Sequence, residues 1–350
     1  MAQASDVRRS FTTPLGRSLS FSVLGFGTAP LGNMGRVLSE AEADQVVETA
    51  WASGARYIDT APLYGHGLSE TRVGRALRDK SRDAVVVSTK VGRLLEPCAP
   101  GDEDSGIFLA TPACRVKFDY SRGGVLRSFD ASLRRLGLDH VDILLVHDAE
   151  PRTHGSQEAY EARWSELTGG GGWRALDELR AAGVVAAIGL GVNEVAPCER
   201  TLAELDPDLF LLAGRYTLLE QTPLRGLMAD CADRGVGVII GGPYNSGVLA
   251  RRAGSYNYAA PPGEVLSRVE HLAGVCERFG VSLKAAALRF PLAHPAVVSV
   301  IPGGQTSEEV RGNAALLGEP IPGGLWAALK NEGLLDPAAP TPRTEVFAEC

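Results

Sequence analysis

Short apolar runs rich in β-branched residues alternate along most of the chain with amphipathic stretches. Eight of these runs predict strands, at residues 23–27, 56–59, 84–89, 141–146, 185–189, 209–213, 237–240 and 297–301. The stretches between them predict helices, at residues 39–52, 69–78, 124–136, 173–181, 196–205, 227–233, 263–279 with 283–290, and 307–317. Because the runs are almost continuously apolar, they indicate a parallel sheet that helices cover on its outer face.

Eight strand–helix units in one chain predict a (β/α)8 TIM barrel, formed by residues 1–350 as a single domain. An open, doubly wound sheet is the alternative that the pattern leaves. No internal repeat of fixed period is visible, which excludes a solenoid. The N-terminus of the first predicted helix is marked by Ser39 and Glu42, which have the spacing of a capping box.

Two long segments interrupt the alternation, and a C-terminal tail begins at about residue 336. The segments span residues 94–120 and 148–172, and the second ends in four glycines that we interpret as a hinge or linker. In a barrel both lie on the face formed by the carboxyl ends of the strands, where active sites are built. We expect them to wall or cover a substrate pocket, and disordered insertions are the alternative.

Composition narrows the classes of partner. The 350 residues carry a net charge of −7 without a basic block, which argues against nucleic acid and anionic membranes as partners. No apolar run is long enough to span a membrane, and the first residues do not resemble a signal peptide. The six cysteines form no Cys-x-x-Cys pair, which indicates a reducing compartment and no zinc site. We therefore expect a soluble cytoplasmic protein with no metal, and the oligomeric state stays open.

Ionisable side chains stand where three of the apolar runs end. They are Asp59, Lys90 and His147, and Tyr64 follows Asp59 by five residues. Each could be structural by itself, but in a barrel all of these strand ends share one rim, which favours a common catalytic site. Lys90 would lower the pKa of the Tyr64 phenol, and Asp59 would pair with Lys90. His147 would bind the substrate oxygen, so the group suits proton transfer during hydride transfer to a cofactor.

The segments around these residues resemble a known family. Residues 59–65 (DTAPLYG), 88–92 (STKVG) and 144–148 (LLVHD) resemble the signature segments of the aldo-keto reductases. The resemblance extends from about residue 23 to 335, although the 94–120 segment lengthens the gap between lysine and histidine. It implies NAD(P)-dependent oxidoreductase activity, with Asp59, Tyr64, Lys90 and His147 as the catalytic tetrad.

A narrower resemblance rests on residues 65–70, 118–121 and 211–219, which are similar to NAD-using sugar and pyridoxal dehydrogenases of this family. It implies oxidation of an aldose such as L-fucose or D-arabinose at C1 to the lactone, or of pyridoxal to 4-pyridoxolactone. Two other classes stay open. A metal-assisted barrel hydrolase or lyase would use Asp59, His147 and Asp148, but it explains neither Tyr64 nor Lys90. A cofactor-binding regulatory subunit does not need the intact tetrad.

The resemblance also assigns cofactor contacts along the chain. They are Gly27, Thr28, Ala29 and Asp59 near the nicotinamide ribose, Asn193 at the carboxamide, Gly242, Tyr244, Asn245, Ser246 and Gly247 at the pyrophosphate, and Gly303, Gln305, Glu309 and Asn313 at the adenosine. Glycines occupy 241–242, where an aromatic residue often stacks on the nicotinamide. We expect NAD to be preferred over NADP, because Glu309 would repel a 2′-phosphate. The one nearby cation, Arg311, would point away from it.

Overall fold

The strands are short and buried, as the apolar runs predict. The computed structural model describes residues 7–250 and 254–342. Its strands, in chain order, are β1 (Arg8–Thr12), β2 (Ser18–Ser22), β3 (Phe26–Gly27), β4 (Tyr57–Asp59), β5 (Val86–Val91), β6 (Arg93–Pro97), β7 (Cys114–Phe118), β8 (Ile143–His147), β9 (Ala187–Val192), β10 (Leu209–Ala213), β11 (Gly237–Gly241) and β12 (Val297–Ile301).

Eight of these strands form one parallel sheet in the order β12-β11-β10-β9-β8-β5-β4-β3. Parallel bridges from Leu24 to Val300 and from Gly27 to Gly303 join its two edges. At that seam the Gly25 amide donates to the Val300 carbonyl at 3.0 Å, and the Val300 amide donates to the Val23 carbonyl at 2.9 Å. The sheet is therefore closed, which confirms the (β/α)8 barrel and rules out the open sheet.

Helices cover the outside of the barrel. They are α1 (Glu40–Ala52), α2 (Leu68–Leu77), α3 (Arg122–Leu136), α4 (Pro151–His154), α5 (Gln157–Leu167), α6 (Gly172–Ala181), α7 (Ala196–Glu204), α8 (Leu227–Arg234), α9 (Gly263–Arg278), α10 (Leu283–Arg289), α11 (Ser307–Leu317) and α12 (Gly323–Asn331). The predicted capping box is present, since Glu42 N donates to Ser39 Oγ at 3.2 Å and Ser39 N donates to Glu42 Oε2 at 2.8 Å. Each predicted helix has a counterpart, whereas α4, α5 and α12 were not predicted.

A hairpin that the sequence did not predict closes the amino-terminal end of the barrel. Strands β1 and β2 pair antiparallel, and Phe11, Leu19 and Phe21 pack against inward-facing barrel residues. The Phe21 and Tyr57 rings meet edge to face with their centroids 5.0 Å apart. These side chains fill the amino-terminal end of the barrel interior. A ligand is therefore expected at the carboxyl end of the barrel.

The two long segments are built differently from the loops that we expected. The first contains the antiparallel pair β6–β7, and its tip packs back onto the start of the chain, where the Leu109 amide donates to the Asn33 carbonyl at 3.1 Å. The second contains α4 and α5. Its glycines form a packed junction and not a hinge, because a Cβ on Gly172 would lie 1.9 Å from the Tyr120 carbonyl oxygen.

The described part of the C-terminal tail is packed on the barrel. Ala339 is buried, and Arg225 donates to Asp336 Oδ1 at 3.1 Å. Part of the predicted tail, residues 343–350, lies outside the described residues. So do residues 1–6, which belong to the segment that was compared with signal peptides. Across the described ranges, no helix has both the length and the apolar character needed to cross a membrane.

Candidate active site

The four predicted catalytic residues meet at the carboxyl rim of the barrel. Asp59 ends β4, Lys90 lies near the end of β5, His147 ends β8, and Tyr64 lies in the turn between β4 and α2. Strands β4, β5 and β8 are neighbours in the sheet, which is why residues so far apart in sequence come together. Asp59, Lys90 and His147 are all buried, with at most 5% of their surface exposed.

Lys90 is the centre of the hydrogen-bond network. Its ammonium group donates to Asp59 Oδ2 at 2.7 Å, to the Thr60 carbonyl at 2.9 Å and to the Tyr64 phenolic oxygen at 3.1 Å. These contacts use all three ammonium protons. Because the Tyr64 oxygen accepts from Lys90, its own O–H proton is left to be donated elsewhere.

Asp59 is held on its other oxygen by a second buried chain of hydrogen bonds. Ser88 Oγ donates to Asp59 Oδ1 at 2.7 Å, and the Tyr57 hydroxyl lies 2.9 Å from Ser88 Oγ. Burial raises the pKa of Asp59, and the ion pair and hydrogen bond with Lys90 oppose that rise. Lys90 therefore offsets part of the cost of burying the carboxylate, and the two residues form one positioned unit.

The pKa of Tyr64 moves in the direction opposite to our expectation. Burial raises it well above the ordinary value for a phenol, and the nearby Asp59 carboxylate raises it further. The expected lowering by Lys90 does not prevail, because the positive charge of Lys90 is paired with Asp59 at 2.7 Å. The phenol is protonated at neutral pH, which suits a proton donor to a carbonyl oxygen.

His147 is neutral at physiological pH. Burial lowers its pKa to about 3, even though the neighbouring Asp148 carboxylate acts in the other direction. Its ring lies edge to face with the Tyr64 ring at 5.8 Å, and its backbone carbonyl accepts from the Tyr120 hydroxyl at 2.7 Å. A neutral imidazole can donate one hydrogen bond to a substrate oxygen without competing for the proton that Tyr64 carries.

A specific pH dependence follows from these two pKa shifts. With Tyr64 as the predicted proton acceptor in oxidation, kcat/KM should rise about tenfold per pH unit from pH 7 to 9 as the phenolate fraction grows. In reduction the phenol form dominates throughout this range, so the profile should be flat. The imidazole of His147 should add no inflection above about pH 5, because its pKa is about 3.

Steady-state kinetics in both directions checks this dependence. Lys90→Met should move the oxidation limb to higher pH, because the phenolate loses its hydrogen-bonded cation. An oxidation rate that is already constant between pH 6 and 7, or a Lys90→Met profile that coincides with the wild-type profile, would contradict the assignment.

The predicted ribose contacts lie at the start of the barrel seam. Thr28 is buried, and its hydroxyl donates to the Asp59 carbonyl at 2.8 Å, so it ties this segment to the catalytic strand. Gly27 sits where a Cβ would lie 3.1 Å from the Ile301 carbonyl oxygen. Ala29 begins a short 3₁₀ helix, Ala29–Gly32, directly after them.

Asn193 lies beside the tetrad with its side-chain amide oriented. Its Nδ2 donates to Asp148 Oδ1 at 3.1 Å and to Glu150 Oε1 at 3.0 Å, and its backbone N–H donates to Glu150 Oε2 at 2.6 Å. Carboxylates only accept hydrogen bonds, so they fix the NH₂ group toward themselves. The Asn193 Oδ1 atom is left to accept from a carboxamide.

The predicted pyrophosphate loop has the backbone of an anion site. Gly242, Asn245, Ser246 and Gly247 have φ angles of 53°, 47°, 59° and 102°, and such left-handed turns gather N–H groups into a concave surface. Among the described residues, the N–H groups of Tyr244 and Ser246 have no acceptor. The side chain of Asn245 is buried, and its Oδ1 is likewise unpartnered in the described structure. These groups fit the phosphates of a dinucleotide.

The adenosine end is tied to this loop. The Tyr244 hydroxyl donates to Asn313 Oδ1 at 2.8 Å. Gln305 N donates to Glu309 Oε2 at 2.8 Å, so the Glu309 carboxylate holds the residue that precedes the N-cap of α11. Gln305 Nε2 is engaged by the Met34 carbonyl at 2.6 Å. Of the four predicted adenosine residues, Gly303 is exposed and Asn313 is buried.

One expectation about this end was wrong, because Arg311 is not the one nearby cation. Lys284, on α10, has its ammonium nitrogen 5.4 Å from the centre of the Tyr244 ring. The sequence contained no signal for it, since the contact joins α10 to the loop after β11, and the two are far apart in the chain.

Two charged residues near His147 were missed as site residues, and a third was named only for the hydrolase or lyase alternative. The missed residues are Arg93, which pairs with Asp148, and the buried Glu150, which accepts from Asn193. Asp148 itself was named only for that alternative, from its position next to His147.

The fold places the chain among the (β/α)8 barrels, with a buried ionisable cluster at the carboxyl rim. The model of the Aldo/keto reductase family matches residues 23–330, and the chain belongs to this family. It is therefore an oxidoreductase, and aldo-keto reductases use nicotinamide cofactors. This membership overturns the alternative of a metal-assisted hydrolase or lyase.

Curated relatives match over nearly their whole length. A pyridoxal 4-dehydrogenase from Microbacterium luteolum is 43% identical, over 92% of this chain and 97% of that protein. A D-threo-aldose 1-dehydrogenase from a Pseudomonas species is 40% identical, over 93% of this chain and 96% of that protein. Among solved structures, an aldo-keto reductase from Bacillus halodurans in its holo form superposes with a TM-score of 0.71 at 22% identity, covering 95% of this chain and 98% of that one.

Proposed function

We propose that this enzyme oxidises the cyclic hemiacetal of an aldose, such as L-fucose or D-arabinose, at C1 to the lactone with NAD. The observation that carries the proposal is the 3.1 Å hydrogen bond from Lys90 to the Tyr64 oxygen beside a neutral His147. This arrangement moves a proton at a hydroxyl oxygen. The 40% identical relative named D-threo-aldose 1-dehydrogenase supports the aldose as substrate.

In the proposed reaction the C1–H bond breaks and its electron pair leaves as hydride, for which bound NAD supplies the acceptor. The proton of the C1 hydroxyl passes to the phenolate oxygen of Tyr64, and the C1–O bond becomes the lactone carbonyl. His147 donates a hydrogen bond to the same substrate oxygen and orients it. Lys90 stabilises the phenolate, and Asp59 positions Lys90.

The cofactor contacts predicted from the sequence are part of the proposal. Asn193 would accept from the carboxamide through Oδ1. The loop 242–247 would hold the pyrophosphate with its free N–H groups, and residues 303–313 would hold the adenosine. We also propose a cytoplasmic location, which the free thiols of the five described cysteines support.

Pyridoxal is the second candidate substrate. The 43% identical relative is named pyridoxal 4-dehydrogenase, and the Phe108 ring lies 6.3 Å from the Tyr64 ring, which offers an aromatic wall to a pyridine. Pyridoxal also closes to a cyclic hemiacetal, and its oxidation yields a lactone. The same four side chains would therefore perform the same chemistry.

A substrate panel distinguishes the two candidates. The purified enzyme is assayed with NAD and L-fucose, D-arabinose, L-galactose, L-xylose and pyridoxal, and NADH formation is followed by absorbance. We expect kcat/KM to be highest for an aldose whose product is the lactone. A higher value for pyridoxal would transfer the assignment to the second candidate, and no turnover of any of the five compounds would contradict both.

A further inference from the structure

Asp148 has an unusual backbone for its position. It directly follows His147, and its φ angle is +50°, a left-handed conformation that aspartate tolerates at some cost. Such strain persists only where surrounding contacts enforce it, and it concentrates at functional sites. Here the conformation brings Asp148 Oδ2 to 3.4 Å from Nε2 of His147.

An arginine from the first long segment holds this carboxylate. Arg93, the first residue of β6, contacts Asp148 Oδ2 at 2.5 Å, and its guanidinium carbon lies 4.6 Å from the centre of the Phe118 ring in β7. Each side chain of the pair is 11% exposed. The hairpin that interrupts the barrel pattern thus supplies the partner of a residue at the catalytic rim.

The contribution of the Arg93–Asp148 ion pair to folding stability gives little reason for its presence. Taking two charges out of water costs about as much as their attraction returns, and apolar replacements are often as stable. The carboxylate is nevertheless kept ionised. Burial opposes its charge, but the Arg93 guanidinium, which is hydrogen-bonded to it, holds the pKa of Asp148 below its usual range. A buried anion is therefore maintained beside the group that binds the substrate oxygen.

The carboxylate still has capacity to accept a hydrogen bond. Its two oxygens offer about four lone-pair sites, and two donors use them, Arg93 and Asn193, the latter at 3.1 Å. His147 Nε2 lies 3.4 Å from Oδ2, and when it donates to a substrate oxygen, two sites on Asp148 are open.

We propose that Asp148, held by Arg93, forms a hydroxyl-binding subsite that accepts a hydrogen bond from the hydroxyl next to the oxidised carbon. This inference rests on the proposed function. A His147 donor and an Asp148 acceptor 3.4 Å apart match two oxygens on adjacent carbons, which are the C1 and C2 hydroxyls of an aldose. Aldehydes and alcohols without the second hydroxyl would leave a buried carboxylate unsatisfied, and they would be rejected for that reason.

The test compares L-fucose with 2-deoxy-L-fucose in the wild type and in Asp148→Asn. A hydrogen bond to a charged group discriminates by about 10- to 100-fold, so wild-type kcat/KM should favour L-fucose by that factor. In Asp148→Asn the ratio should fall toward one, because L-fucose loses rate and the deoxy sugar does not. Arg93→Met should reduce the same ratio, since it frees the carboxylate to move.

Two controls separate the possible failures. Asp79→Asn, an exposed carboxylate, should retain the wild-type ratio, and fluorescence titration with NADH should show that Asp148→Asn binds the cofactor within a few-fold of the wild type. An unchanged ratio in Asp148→Asn, or an equal loss on both sugars, would overturn the subsite while leaving the dehydrogenase assignment intact.

If the wild type oxidises pyridoxal but no aldose, the aldose assignment fails. The subsite fails with it, because the ring carbon next to the oxidised carbon of pyridoxal carries no hydroxyl. If the wild type oxidises none of these compounds, the proposed function and the subsite fall together.

Discussion

Tyr64→Phe is expected to lower kcat by about 10²- to 10⁴-fold, the contribution typical of a general acid–base group. The change removes the hydroxyl that receives the Lys90 hydrogen bond at 3.1 Å, and it keeps the ring that packs against His147 and Phe108. Cofactor affinity should stay within a few-fold, because the phenol is not among the predicted dinucleotide contacts. Stopped-flow measurement of the hydride step and fluorescence titration with NADH measure the two quantities separately.

Tyr216→Phe provides a matched control. Tyr216 is also fully buried, but its hydroxyl has no hydrogen-bond partner in the described structure and it lies beside Phe290. Removing an unpaired buried hydroxyl is nearly neutral, so this variant should turn over within about twofold of the wild type. If Tyr64→Phe were active within tenfold of the wild type, Tyr64 could not be the proton-transfer group.

NAD is expected to be preferred over NADP by at least about tenfold in kcat/KM, a difference of roughly 1.4 kcal/mol. Glu309, at the start of α11, would repel a 2′-phosphate that carries nearly two negative charges. Lys284, near Tyr244, is a cation that works against this preference. The expectation therefore depends on Glu309 lying closer to the ribose than Lys284 does.

Glu309→Gln is the sharpest variant, because the glutamine carbonyl oxygen can keep accepting from Gln305 N while the charge is lost. It should narrow the NAD preference several-fold, and Glu309→Arg should narrow it further or reverse it through charge-assisted bonds to the phosphate. Gly303→Lys, another way to place a cation in this segment, is unsuitable because a Cβ there would lie 2.8 Å from a Pro30 ring carbon.

Glu308→Gln serves as the control for the Glu309 variants, since the neighbouring carboxylate is exposed and points about 100° away on the helix. Initial rates with both cofactors, at saturating substrate, measure the preference. Equal use of NADP by the wild type would show that this segment does not contact the ribose as we align it.

The strand ends show what could be predicted for the site. Asp59, Lys90 and His147 each follow a buried run, and parallel strands of a barrel all end at one rim, so local pattern and topology together predict their convergence. The side-chain distances within the tetrad, down to 2.7 Å for Lys90 and Asp59, agree with that prediction. The fold class could be predicted for the same reason. Each barrel strand is buried and therefore apolar, so the eight strands appear in the sequence as eight apolar runs separated by helical stretches.

Other features could not be predicted, because they depend on residues that are distant in the chain. The N-terminal hairpin carries too little apolar sequence to stand out, yet its Phe21 packs on Tyr57 of β4 and fills one end of the barrel interior. Lys284 meets Tyr244, and Arg93 reaches Asp148, across separate elements. The interpretation of residues 169–172 as a hinge was wrong. Glycine occurs both where the backbone is flexible and where it packs too closely for a side chain, and the sequence does not tell these two cases apart.

The sequence by itself determined the barrel, the order of its strands and helices, and the identity of the four side chains at its rim. These follow from hydrophobic periodicity and from the geometry of parallel strands, and both are local properties of the chain. The tertiary structure alone decided the charge states. The pKa of Tyr64 rises although Lys90 is 3.1 Å away, because desolvation and the Asp59 carboxylate outweigh a cation that is already paired. Such a balance depends on burial and on distances in a low-dielectric interior, which exist only after the chain has folded.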